Sequence, residues 1–135
     1  IVVIVDSMNN PPVAMDDMAT TPEDVPVIID VLDNDSDPDS PLNNPTISET
    51  PDNGSVSVNP GDGTITYTPD PNFVGIDSFM YSICDNGIPI LCDTALVVVT
   101  VTPVTDTITE MIPEDSTLVV CADSLTTFNI CISSQ

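Results

Sequence analysis

The sequence predicts an all-β fold, a seven-strand antiparallel sandwich, on three observations. No stretch of the 135 residues repeats its apolar positions every 3.6 residues, and 14 prolines with many β-branched residues oppose helices. Short runs with alternating apolar positions recur along the chain, separated by Gly, Asn, Asp and Pro. Two of the separating segments are hairpin turns by composition.

In chain order, residues 1–5 form an apolar strand and residues 25–32 another. Residues 54–58 and 64–68 flank Asn59-Pro60-Gly61-Asp62-Gly63, where glycine takes a positive φ without strain, so the two pair as a hairpin. Residues 76–84 and 93–102 flank Asp85-Asn86-Gly87 and make a second hairpin. Within 76–84, Phe79, Tyr81 and Ile83 share one face, and Met80, Ser82 and Cys84 the other. Tyr67, Phe73, Val97, Val99 and Val101 are natural partners for the first set, which supplies a core although only 4% of the chain is aromatic.

Composition excludes several functions outright. There are 22 Asp and Glu and no Lys, Arg or His, for a net charge of −22. Nucleic acid is excluded as a partner because phosphate neutralisation needs cationic side chains. Catalysis by a His base, a Lys Schiff base or an Arg clamp is excluded too, and an anionic membrane surface is unfavourable. Apolar residues reach 41% and mean hydropathy is +0.21, so the chain has the means to bury a core despite its charge. No apolar run approaches the ~20 residues of a membrane span, so direct membrane insertion is not expected.

An internal echo sets the expected boundaries. Pro22-Glu23-Asp24 and Pro113-Glu114-Asp115 each precede an apolar run, at an offset of 91 residues, close to one immunoglobulin-sized domain. Residues 1–5 likewise read like residues 97–101, the last strand of a unit. The expectation is a segment of a longer chain. Residues 1–10 would be the last strand of a preceding repeat with its linker, 11–103 a complete repeat, and 104–135 the start of the next. The Pro-rich joints would be short and stiff.

The cysteines fall into two close pairs, Cys84 with Cys92 and Cys121 with Cys131. An even count in this kind of sequence points to disulfides and an oxidising location; buried free thiols are the alternative. Cys84 faces away from Phe79, Tyr81 and Ile83, which rules out an inter-sheet bridge. Cys92 lies across the Asp85-Asn86-Gly87 turn, so a bridge between the two would staple the hairpin from its outer face. Cys121 and Cys131 are expected to do the same in the following unit.

Asp33, Asp35, Asp37 and Asp39 alternate within seven residues, with no cation in the chain to offset them. A hard cation would relieve their repulsion, and calcium takes six to eight oxygens of this kind. In a seven-strand sandwich this loop shares a pole with Asp16, Asp17, Asp85 and the entering linker. Calcium held by Asp17, Asp33, Asp35, Asp37 and Asp39 would then stiffen the joint. Glu23 and Asp24 would lie at the opposite pole, near Asp106. A solvated acidic loop is the competing reading, and a glycosidase-type carboxylate pair is disfavoured by the lack of aromatic platforms for a sugar.

Several segments together resemble a known family. They are Pro11-Pro12-Val13-Ala14-x-Asp16-Asp17, Pro22-Glu23-Asp24-x-Pro26-Val27, Asp30-Val31-Leu32-x-Asn34-Asp35-x-Asp37, Asn53-Gly54-x-Val56, Asp62-Gly63-Thr64-x-Thr66-Tyr67-Thr68-Pro69 and Phe73-x-Gly75-x-Asp77-Ser78-Phe79-x-Tyr81. They resemble the immunoglobulin-like or cadherin-like tandem repeats of giant bacterial surface adhesins. The Cys pair across the last hairpin is similar to repeats of the Bacteroidota gliding-motility adhesins exported by type 9 secretion. The resemblance implies extracellular display, tandem arrays and frequent calcium dependence. The expected role is thus a non-enzymatic repeat of a long cell-surface filament or stalk, supporting adhesion or motility. Its partners would be neighbouring repeats of the same polypeptide and other cell-surface proteins. A module that itself binds a glycan or protein ligand is the alternative.

Overall fold

The computed structural model describes residues 1–3, 8–105, 117–124 and 127–133, the last two stretches as backbone only. Among the described residues nine strands follow one another: β1 (Asp17–Pro22), β2 (Val27–Ile29), β3 (Thr46–Glu49), β4 (Gly54–Val58), β5 (Ile65–Pro69), β6 (Gly75–Cys84), β7 (Cys92–Thr102), β8 (Thr117–Ser124) and β9 (Thr127–Ser133). Among the described residues there is no helix. Ile1–Val104 and Thr105–Gln135 are separate compact units.

The first unit is a sandwich of a four-stranded sheet, ordered β1-β7-β6-β3, and a three-stranded sheet, ordered β2-β5-β4. This is the expected all-β architecture of seven strands in two layers, with one departure from the expected antiparallel pairing: β1 runs parallel to β7. β4 and β5 pair from Gly54↔Pro69 to Val58↔Ile65 across the expected turn, where Gly63 has φ 75° and the Asp62 carboxylate accepts from the Thr64 amide. β6 and β7 pair along their whole length, from Gly75↔Val101 to Cys84↔Cys92.

Alternation decides the core. Ile65 and Tyr67 from one sheet meet Phe79, Tyr81, Ile83, Ala95, Val97, Val99 and Val101 from the other, all buried. The Tyr67 and Phe79 rings stack with centroids 6.4 Å apart. Phe73 packs at the margin of this cluster.

Sequence and structure also part at several strands. Of the strand expected over residues 1–5, residues 1–3 lie in no strand and residues 4 and 5 fall outside those described. The strand expected over residues 25–32 is paired only over Val27–Ile29, because the chain turns at Asp30, whose carbonyl accepts from the Asp33 amide. Val31 nevertheless plugs the core from this turn and is fully buried. β1 and β3 have no counterpart among the strands read from the sequence. β1 shows the core only Ala19 and Thr21 besides Asp17, too little apolar contrast to be recognised. β3 has four residues and a register shift between Ile47 and Glu49.

In the second unit β8 and β9 form an antiparallel hairpin whose register sets Cys121 opposite Asn129 and Cys131 opposite Val119. The expected Cys121–Cys131 bridge concerns side chains outside those described, and Pro113-Glu114-Asp115 also lies outside the described residues.

Candidate functional site

The chain's chemistry-bearing residues gather at the two poles of the sandwich, where the polypeptide enters and leaves. At the entry pole β6 and β7 are tied by a disulfide. Cys84 and Cys92 are directly opposed in the ladder, their Cα atoms 4.0 Å apart and their sulfurs bonded at 2.04 Å. Both lie on the outer side of the sheet, as the parity of Phe79, Tyr81 and Ile83 dictates.

Beyond the disulfide the hairpin loop closes around Asp85, which is only 2% exposed. Its Oδ1 accepts from the amides of Leu91 (2.9 Å) and Gly87 (3.0 Å), and its Oδ2 accepts from Asn9 Nδ2 (2.7 Å). Asn9 Nδ2 also donates to the Pro89 carbonyl at 2.9 Å. These donors, the Leu91 amide first, hold the Asp85 carboxyl below its ordinary pKa. Gly87 has a specific reason to lack a side chain: a Cβ there would overlap the Asn9 amide group. The loop is therefore a socket shaped to the entering segment. The next residue is held as well, since the Asn10 amide (3.0 Å) and Nδ2 (2.9 Å) both donate to Asp39 Oδ2. Those bonds depress the Asp39 carboxyl.

The acidic loop lies at this same pole, with its carboxylates in separate hydrogen-bonded positions. Asp37 Oδ1 caps the amides of Asp39 and Ser40, both at 2.9 Å. Asp35 Oδ1 accepts from the Met15 amide at 2.7 Å, and the loop is tied to the entering chain by mutual Val13–Ser36 backbone bonds. Asp33 is exposed. Asn34 Nδ2 donates to Asp17 Oδ1 at 3.1 Å, which brings Asp17 beside the loop. Among the described residues no three Asp, Glu, Cys or His are placed to hold one metal ion.

Tyr81 reaches this pole from the core. Its Oη lies 3.0 Å from the Val31 carbonyl, 3.2 Å from the Met15 carbonyl, and 2.9 and 3.1 Å from the Asp35 oxygens. One hydroxyl proton serves all these acceptors. Burial first, then the Asp35 bond, pushes the Tyr81 phenol well above its usual range. Asp17 shares the shortage of donors: its Oδ2 is buried without a partner, as is Asp37 Oδ2. Burial raises the Asp17 carboxyl to about 6; the Tyr81 hydroxyl opposes this and the Asp35 charge adds to it.

Folded Asp17 binds its proton more tightly than the unfolded chain does, so stability falls as pH rises from 3.8 through about 6. Asp17→Asn removes that penalty. After allowance for its partial exposure, the variant should gain about 1 kcal/mol at pH 7 and nothing below about pH 4. Chemical denaturation across this pH range checks it, and a gain independent of pH would refute the assignment.

At the exit pole, Glu23 Oε1 accepts from the Val104 amide at 2.8 Å, while the Glu23 amide donates to the Thr102 carbonyl at 2.8 Å. Asp24, at φ 61°, accepts from the Asn72 amide at 2.9 Å. Asp106, expected nearby, lies outside the described residues.

One important carboxylate was not singled out from the sequence. Asp77 is 5% exposed, and its oxygens accept from Tyr67 Oη (2.9 Å) and from the amides of Ser78 (2.9 Å), Asn53 (3.0 Å) and Asp52 (3.2 Å). The available signal was parity: Asp77 is in phase with Phe79 and Tyr81 and so had to be an inward-facing acid needing donors.

The Bacterial Ig domain matches residues 9–102 of the chain. Among solved structures, a nucleoside hydrolase-related hypothetical protein from Saccharophagus degradans, described as associated with carbohydrate metabolism, is similar in fold. It matches at 24% identity and a TM-score of 0.53 over 70% of this chain, which spans about a quarter (26%) of that protein. No curated protein matches the chain.

Proposed function

From the premise that the chain belongs to the bacterial Ig domain family, we propose that it is a load-bearing spacer in a long extracellular surface protein. It holds an adhesive part away from the cell and contributes no catalysis. The observation that carries this reading is the parallel pairing of β1 with β7 over six residues, Asp17↔Val97 to Pro22↔Thr102. The chain enters just before β1 and leaves just after β7. Pulling the two ends apart slides these strands along each other, so the ladder's hydrogen bonds are loaded together rather than one at a time. The sockets at Asn9, Asn10 and Val104 keep that load aligned with the strands.

The finer identity, a repeat of an adhesin stalk serving adhesion or gliding in Bacteroidota with type 9 export, rests on the sequence resemblance. The repeat boundaries at 11–103 belong to the same proposal. Single-molecule stretching from both termini tests the role. A single high-force event for Ile1–Val104, weakened when Thr20→Pro breaks the β1–β7 ladder, is the expected result. Gradual low-force extension would refute it.

Calcium at the entry pole is the second element of the proposal. It is supported by the partnerless Asp17 Oδ2 and Asp37 Oδ2. Binding would require Asp35, Asp37 or Asp39 to release amides they now cap. A melting temperature higher in calcium than in chelator is expected; coincident curves would remove calcium from the reading.

A further inference from the structure

The sandwich has four edge strands: β1 and β3 in one sheet, β2 and β4 in the other. An edge strand carries backbone N–H and C=O groups without a neighbour, and it pairs with foreign strands unless something blunts it. Three of the four are blunted. β1 ends in Pro22 and turns the charge of Asp17 inward, β2 has only three residues, and β3 has a register shift and carries Glu49. β4 has none of these devices. Its five residues, Gly-Ser-Val-Ser-Val, include no proline and no charge, and its register with β5 is unbroken.

The ladder decides which of its backbone groups are free. The Asn59 amide donates to the Thr64 carbonyl at 2.8 Å, and the Asp70 amide donates to the Asn53 carbonyl at 2.9 Å. Bonded residues alternate in an antiparallel pair, so between these ends Ser55 and Ser57 bond to β5, opposite Thr68 and Thr66. The N–H and C=O groups of Gly54, Val56 and Val58 therefore point away from β5. None of them meets a hydrogen-bond partner among the described residues. Side-chain burial agrees. Val56 and Val58 face the core yet remain partly exposed, whereas Tyr67 and Ile65, directly opposite on β5, are fully buried. The core's flank is open along β4.

We propose that the free edge of β4 is a docking site for an extended cationic segment of another protein, which adds to β2-β5-β4 as a fourth strand. Backbone bonds to Val56 and Val58 supply the pairing, and apolar side chains at alternate positions close the open flank. Charge selects the occupant. Exposed Asp52 lies two residues before β4, and exposed Asp62 stands in the turn after it. With net charge −22 and no cationic side chain, a second copy is repelled, while a segment with Lys or Arg at both ends is attracted. Five paired residues span about 17 Å, so a segment of about seven residues with a cation at each end matches the edge. The proposal is independent of the spacer reading.

Titrating the whole 135-residue chain with the end-blocked peptide Lys-Thr-Val-Thr-Val-Thr-Lys, read by amide hydrogen exchange, tests it. At about ten times the Kd, exchange of the Val56 and Val58 amides should slow about tenfold, because protection scales as one plus the ratio of ligand to Kd. The same peptide with Glu in place of Lys should bind at least about tenfold more weakly, and salt should narrow the difference. The double variant Asp52→Asn with Asp62→Asn should bind the Lys peptide about threefold or more weakly, as two exposed ion pairs are lost. Two N-methylated Lys peptides, one on the Val and one on the Thr nitrogens, keep the charge; the one whose methyls face β4 should give no protection. Absence of protection up to about 5 mM Lys peptide overturns the proposal. So does protection by both methylated forms, which would be attraction without pairing, or equal binding of the Glu peptide. Protection that grows with the chain's own concentration, without peptide, would make a second copy the occupant and overturns it as well.

Discussion

Asp77→Ala should cost about 3–5 kcal/mol of folding free energy, the largest loss expected from any single polar substitution in the sandwich. The carboxylate gathers the Tyr67 hydroxyl and three backbone amides at the point where the segment before β4 crosses the start of β6. Alanine leaves these donors without their acceptor, and buried unpaired donors cost about 1–3 kcal/mol each when water cannot reach them. Two companion variants separate the contributions. Tyr67→Phe withdraws one donor and should cost about 1 kcal/mol, and with Asp77→Ala the two losses should sum to less than their separate values, because they share a bond. Gly54 belongs to the same corner, since a Cβ there would overlap the Tyr67 ring and the Thr68 carbonyl. Urea denaturation of the three variants checks the set. A loss below about 1 kcal/mol for Asp77→Ala would mean that the amides find water when the carboxylate is gone.

Reduction of Cys84–Cys92, or its replacement by two serines, should cost about 2–3 kcal/mol through the conformational freedom returned to the unfolded chain across a separation of eight residues. Under load the effect takes a second form. With the bridge closed, the residues between Cys84 and Cys92 cannot lengthen. Opening it adds about 25 Å to the extended length, at ~3.3–3.6 Å per residue less the span of the bridge itself. Stretching with and without reductant reads this directly, and an unchanged contour length would show that the bridge does not lie within the load path. Both halves of the experiment are favoured by position: Cys92 is exposed on the outer side of the sheet, within reach of a reductant in the folded protein.

What the sequence revealed was the local part of the architecture. Residues 54–58, with their five-residue turn, and 76–84, with parity fixed by Phe79, Tyr81 and Ile83, could be read because a hairpin is written in consecutive residues. The same parity sent Cys84 outward. β1 could not be read this way. Its partner is β7, some eighty residues away, and Asp-Met-Ala-Thr-Thr-Pro shows the core too few apolar groups to mark a strand. Gly87 was visible only as a turn glycine. That its missing Cβ makes room for Asn9 is a property of two segments distant in sequence and adjacent at the pole. The acidic loop illustrates a different limit. Alternating aspartates at 33, 35, 37 and 39 read as one cluster in the sequence, whereas the fold spends Asp35, Asp37 and Asp39 on different amides.

The clasps at Asn9, Asn10 and Val104 are built wholly from groups inside Ile1–Val104. The segments that enter and leave this unit are thus held by the unit's own groups. A gene encoding such a unit can be duplicated, deleted or shuffled without any compensating change next door. On the spacer reading, the number of such units can then vary as freely as recombination allows.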